Sequence, residues 1–307
     1  MLATALAVVV TVSTVGLTSV AYADEIDVSA GAVVAIEDSA PDVLEDVADV
    51  PTGTTGEEAI NSTVAGTSIS VPTDPQSGII FDTASGPALT IGLPSAATAE
   101  DAEVIQNGVV AYDNNNGSTT VPVVKDNGSV QIATTISGPE APETYRYPLT
   151  LPSGATIAVT EYGGAIVTAS DGTLLATVDP AWAMDANGND VPTHYVVEGA
   201  TLVQVVEHKL SNAAYPITAD PWWGTQFKIS STAANRLIAV WAGGAGAAGI
   251  VAAICTGTIV GLPCGAVAGI VAGLLALGSA AIGWCNAAGR GIYVNVSWSG
   301  VVWCTSR

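Results

Sequence analysis

No aspartate or glutamate follows Asp220, and no charged residue of either sign lies between Leu237 and Gly289. A run this apolar must bury itself against the rest of the chain, another chain or lipid. Gly261-Leu262-Pro263 interrupts it, leaving pieces at 232–255 and 265–285. Each is about 20 residues, on the order of 30 Å as a helix, which matches a bilayer core. The expectation is a helical hairpin turning at Pro263. Gly265, Gly269 and Gly273 recur every fourth residue in the second piece, and Ala245, Gly249 and Ala253 do so in the first. Such rows let two helices approach closely. In water each glycine costs a helix roughly 1 kcal/mol relative to alanine, so tight packing or lipid has to compensate. Trp241 and Trp284 fall at the end of the hairpin away from Pro263, where an amphipathic indole suits a membrane interface.

All four cysteines, Cys255, Cys264, Cys285 and Cys304, lie in the same region. An even number in an exported chain reads as two disulfides. A continuous helix over 265–284 would hold Cys264 and Cys285 about 30 Å apart. A disulfide needs Cα atoms within roughly 7 Å. Cys255 sits near the turn, which disfavours Cys255–Cys285, so the expected pairing is Cys255–Cys264 and Cys285–Cys304. No C-x-x-C spacing points to zinc or to thioredoxin-like chemistry. After the hairpin, Ile292-Tyr293-Val294-Asn295-Val296 alternates like a strand, with a tight turn expected around Ser299-Gly300.

Export is read from the other end. Leu2 to Val20 is apolar, and Ala21-Tyr22-Ala23 before Asp24 fits a signal-peptide cleavage site, so 1–23 is assigned to a signal peptide. A basic segment ahead of Leu2 is missing, and a membrane anchor is the alternative.

The net charge of −21 conceals a split. Up to Asp220 there are 28 acids against Lys125, Arg146 and Lys209, a net of −25; beyond it Lys228, Arg236, Arg290 and Arg307 give +4. The acidic part is unsuited to nucleic acid, whose phosphates require Lys and Arg. Residues 24–75, acid-rich and poor in aromatics, are expected to be a disordered leader. From 76 to 220 the texture is short β-type runs between turn signals. The runs are Gly78–Phe81, Ala88–Gly92, Gly108–Tyr112, Thr119–Val124, Gly128–Ile136, Thr144–Leu151, Ala155–Glu161, Ala165–Ala169, Thr173–Val178, Tyr195–Val197 and Thr201–His208. Asn-Gly and Asp-Gly steps between them favour turns, and the spacing predicts an antiparallel sandwich or meander. Pro221-Trp222-Trp223-Gly224 reads as the boundary of a tail spanning 221–307, with release near Asp220–Gly224.

Four constellations carry little. Gly244-Ala245-Gly246-Ala247-Ala248-Gly249 matches a dinucleotide-binding loop literally, but the fold needs an acid about 20 residues on and none exists. His194 and His208 have no companion motif for a triad or metal. Asp185-Ala186-Asn187-Gly188-Asn189-Asp190 spaces oxygens like a calcium loop, but its glycine is misplaced and the later bidentate Glu is missing. Paired carboxylates for glycoside hydrolysis are not singled out among so many acids. No cofactor, metal or catalytic residue is therefore assigned.

Pro180-Ala181-Trp182-Ala183-Met184-Asp185-Ala186-Asn187-Gly188, Val191-Pro192-Thr193-His194-Tyr195 and Tyr215-Pro216-Ile217-Thr218-Ala219-Asp220-Pro221-Trp222-Trp223 together resemble a group of secreted actinobacterial proteins. In these a β-rich segment closes on a Y-P-[IV]-x-A-D-P phrase and a variable, often Gly/Ala-rich, cysteine-bearing tail follows. The resemblance covers roughly 105–223 and implies export and a carrier-plus-tail plan, with no catalytic residue.

The expected fold is α+β and segregated: an antiparallel β domain, then a disulfide-tied Gly/Ala-rich helical hairpin and a short terminal β segment. The expected function is non-catalytic: a secreted or cell-envelope protein whose acidic half carries a cationic, apolar, bacteriocin-like tail that contacts membrane. The alternative is an envelope anchor whose hairpin enters the membrane or pairs with a second copy.

Overall fold

The computed structural model describes residues 28–53, 56–83, 86–160, 163–172, 174–224, 226–243, 277–296 and 302–306. Helix α1 (Val28–Ser39) and a 3-10 turn (Pro41–Leu44) come first. Nine strands follow: β1 (Glu58–Val64), β2 (Thr67–Pro72), β3 (Ile79–Thr83), β4 (Gly86–Ile91), β5 (Glu103–Gln106), β6 (Val109–Asp113), β7 (Ser118–Val124), β8 (Val130–Ile136) and β9 (Thr144–Thr150). The next eight are β10 (Thr156–Val159), β11 (Ala165–Thr168), β12 (Leu174–Val178), β13 (Trp182–Met184), β14 (Thr193–Glu198), β15 (Thr201–Val206), β16 (Ile217–Asp220) and β17 (Trp222–Gly224). The tail contributes β18 (Gln226–Ile229), α2 (Ser231–Ala242), helical residues 277–285, β19 (Ile292–Val296) and β20 (Val302–Ser306).

The strands form antiparallel sheets. One runs β1-β2-β3-β4-β9-β15-β14; a second runs β10-β11-β12-β17-β8-β7-β6-β5, with β16 pairing both β8 and β13; the third is β18-β19-β20. Each run predicted between 78 and 208 overlaps a strand. The turn chemistry is as expected: at the β6–β7 turn the Asn115 N–H donates to Asp113 Oδ1 at 2.8 Å, and at the β7–β8 turn the Ser129 N–H donates to Asn127 Oδ1 at 3.0 Å.

The first two sheets share one core. Ile69, Phe81, Tyr145, Tyr147 and Leu202 from the first meet Tyr112, Ile132, Val167, Ile217 and Trp223 from the second. Tyr147 and Trp223 are tilted rings 6.5 Å apart, and the Tyr195 hydroxyl donates to the Asp220 carbonyl at 3.0 Å. The outer face of the second sheet is covered too. Ala32, Val33, Ile36 and Val43 lie on Val109, Ala111, Val121, Val123 and Ala133. Strands β7 and β8 are thus buried on both faces, at every position along each strand.

Two expectations are corrected. Residues 24–75 are not a disordered leader: from Val28 onward the described part is a helix that covers a sheet and strands that enter the core, with Ile60, Ile69 and Val71 fully buried. The strands compensate for low local hydrophobicity by lending alternate residues to a core built elsewhere. Nor does the β domain stop at Asp220. Strand β17 lies between β12 and β8, with Trp223 opposite both Val178 and Val130, and Trp223 is buried in the core. Cleavage within 220–224 would cut a central strand.

Candidate functional site

The residues singled out for membrane contact and cross-linking converge, where described, at the root of the tail. Ser230 caps α2, its hydroxyl accepting the Ala233 N–H at 3.2 Å. The helix buries Ala233, Ala234 and Leu237. It meets residues 277–286 in antiparallel fashion. The Asn286 amide donates to Ser231 Oγ at 3.2 Å and to Asn235 Oδ1 at 3.1 Å, while a Cβ placed on Gly283 would sit 3.8 Å from Ile238 Cδ1. Asn286 Oδ1 in turn accepts the Gly291 N–H at 3.1 Å, tying both helices to the start of β19. Gly291 adopts φ 99°, and a Cβ there would meet the Ile229 carbonyl oxygen at 2.6 Å, so the crossing demands glycine.

Cys285 and Cys304 form a disulfide with Cα atoms 6.1 Å apart, as expected from helix length. It joins the end of the second helix to β20, whose Cys304 pairs with Val294 of β19. Buried Ile229, Leu237, Ile282, Ile292 and Val294 furnish the apolar interior. Trp284 points the other way and is 80% exposed. Trp241 is half-buried near the end of α2. A cavity of about 430 Å³ opens beside Trp284, between Ala287, Ala288 and the disulfide. Every charged residue of the tail is basic, including Arg236 on α2 and the exposed Arg290 before β19.

The Cys255–Cys264 pairing, the packing glycines Gly249, Gly265, Gly269 and Gly273, and the turn at Pro263 lie outside the described residues. Among the described residues, no helix is long and apolar enough to cross a membrane.

The residues set aside on sequence have structural roles. His208 is buried between the Tyr215 hydroxyl (2.8 Å from Nδ1) and the Pro142 carbonyl (3.1 Å from Nε2), with its ring edge-on to Tyr215. His194 lies half-exposed on β14, 3.7 Å from Glu207. Asp185 turns its carboxylate onto the chain's own N–H groups. Oδ1 accepts from Asn187 and Asn189, both at 2.9 Å, and Oδ2 accepts from Ala214 at 3.1 Å. The Asn189 N–H, with the other donors, holds this carboxyl down at about 2 against the penalty of burial. A carboxylate engaged in this way pins a turn. Among the described residues no group of three or more His, Cys, Asp or Glu is placed to hold a metal.

Lys125 was not singled out, although one of three bases amid 28 acids is a signal in itself. It is buried, and its amine donates to the carbonyls of Val43 (2.6 Å), Glu45 (2.7 Å) and Asp42 (3.4 Å), fastening the N-terminal segment to the end of β7. Desolvation lowers its pKa to about 8, opposed by Asp46 and other nearby carboxylates.

Compared with family models, with curated proteins and with solved structures, the chain finds no match in any of the three.

Proposed function

We propose that this is a non-catalytic secreted or cell-envelope protein whose acidic β body carries a membrane-active tail. The observation that carries the reading is Trp284: a large indole left in solvent on a disulfide-braced unit that holds bases and no acid. An exposed indole on a unit whose only charges are basic gains from both the interface and the negative surface of an anionic bilayer. The charge-free run between the two helices supplies the apolar length to enter it. The acidic body would keep such a chain soluble before contact. The resemblance to secreted actinobacterial proteins supports export. If the tail is released, the cut lies beyond Gly224, since β17 belongs to the body.

The full chain and a 226–307 peptide are to be tested on dye-loaded vesicles. Leakage from anionic vesicles, weaker leakage from zwitterionic ones, and a clear loss on Trp284→Ala are expected. An inert tail at micromolar concentration ends the reading.

A second reading follows from the antiparallel contact of α2 with residues 277–286. The same hairpin would serve as a membrane anchor or as a pairing element between copies, with the body displayed outward. Fractionation separates the two: intact chain in the membrane pellet favours the anchor, and a processed tail in the medium favours release.

A further inference from the structure

A cleft of about 1070 Å³ lies where the N-terminal segment, the β7–β8 turn, the Asp179–Met184 stretch, Trp222 and the tail sheet meet. We propose that it binds the ammonium or guanidinium group of a cationic peptide, seated on the face of Trp222. This site goes beyond the membrane contact above and does not depend on it.

The platform is built into the strand. Successive β residues face opposite ways, so Trp223 enters the core while Trp222 turns outward and stays half-buried. A Cβ at Gly224 would meet Trp222 Cη2 at 2.3 Å and Cζ3 at 2.7 Å. The indole therefore lies flat along its own strand, and glycine at 224 is what makes room for it. Trp182, also half-buried, and Tyr293 of β19 line the same cleft. Indole faces attract Lys and Arg head groups through the ring quadrupole.

The lining sets the sign of the ligand. Asp42, Glu45, Asp46 and Asp126 stand exposed along it. Lys125 is the one base among the described lining residues, and its amine is spent on the carbonyls of the 42–45 turn. Burial and the neighbouring Asp46 raise the Asp126 carboxyl despite the opposing pull of Lys125. An anion would be repelled. A neutral group would use the indole and leave the carboxylates with water, whereas a cation uses both. Thr305 and Ser306 of β20 close one wall.

The test is titration of the full chain with acetyl-tetraarginine amide, followed by tryptophan fluorescence and calorimetry. Saturable binding is expected, weakened by added salt. It should fall about tenfold or more in Asp46→Asn/Asp126→Asn and in Trp222→Leu. The asparagine pair keeps the turn, since Asp46 sits at φ 52° and Asn tolerates that region well. A remote pair of equal charge change, Glu100→Gln/Glu103→Gln on exposed carboxylates, should bind as the parent does. No saturation in the parent, equal weakening by the remote pair, or equal binding of acetyl-tetraglutamine amide would each overturn the proposal.

Discussion

The body and the tail solve the same problem with different means. The body, from Val28 to Gly224, buries Trp223, Tyr112, Tyr145, Tyr147 and Phe81 in a core shared by two sheets, while its acids remain largely at the surface. The described tail buries mostly small and aliphatic side chains, Ala233, Ala234, Leu237, Ile282 and Val294, and leaves its large aromatic Trp284 outside. A small unit buries too little surface to be secure, and a covalent brace offsets the deficit. The body holds by area and the tail by a cross-link, so changes that unfold one should spare the other.

The largest expected effect is in the body. Trp223→Ala removes the indole that packs on Tyr147 at the centre of the sheet and should cost about 3–5 kcal/mol. Urea unfolding followed in the far ultraviolet would show it, and the Cys285–Cys304 bond should persist in peptide maps. The tail counterpart is Cys285→Ser. Opening a loop with a sequence separation of 19 should cost the tail about 3 kcal/mol. Hydrogen exchange should quicken in β19 and β20 and stay unchanged in β7 and β8. Equal quickening in both would show that the two regions stand or fall together.

Two smaller effects probe what fastens the body's edges. Because Lys125 titrates at about 8 when folded and near 10.5 when unfolded, the unfolded chain holds the extra proton between those values. Its contribution to stability therefore rises with pH across that window. Lys125→Met should flatten that rise in unfolding midpoints, and it should loosen residues 41–46 in hydrogen exchange. Asp185 behaves in the opposite sense. With its carboxyl at about 2 against an ordinary 3.8, it stabilises the fold above the ordinary value and loses that contribution as pH falls through about 2. Asp185→Asn should be less stable than the parent at neutral pH, and acid titrations of the two should converge below about 2.

The comparison also shows which kinds of structure a sequence displays locally. Between 78 and 208 most strands were legible because they are short and rich in β-branched residues, several of them set off by Asn-Gly or Asp-Gly turns, whereas β5 and β13 were not among the runs. Strands β1 and β2 were missed although Thr67-Ser68-Ile69-Ser70-Val71 alternates cleanly, because the surrounding acids suggested a solvated leader. Their burial comes from β3 and the opposite sheet, beyond any local window. Pro221-Trp222-Trp223-Gly224 looked like a boundary for a similar reason. Proline and glycine punctuate it, yet the Pro221 carbonyl accepts the Ile132 N–H at 2.9 Å and holds the segment in the sheet. The cleft was illegible altogether, since its walls come from segments up to about 260 residues apart in the chain, Asp46 to Ser306 among them, which only non-local strand pairing can gather.

Sequence alone determined the segregation of charge, the positions of most strands and turns, and the choice of Cys285–Cys304 as a disulfide, because each follows from local residue chemistry or from the rise of a helix. Tertiary structure decided that the acidic N-terminal segment covers a sheet, that 217–224 runs through the middle of the body, and that one tryptophan of an adjacent pair fills the core while the other faces a cleft. The physical reason is that a strand's place in a sheet depends on partners distant along the chain. The energy that holds it there is buried area, which no short window of residues contains.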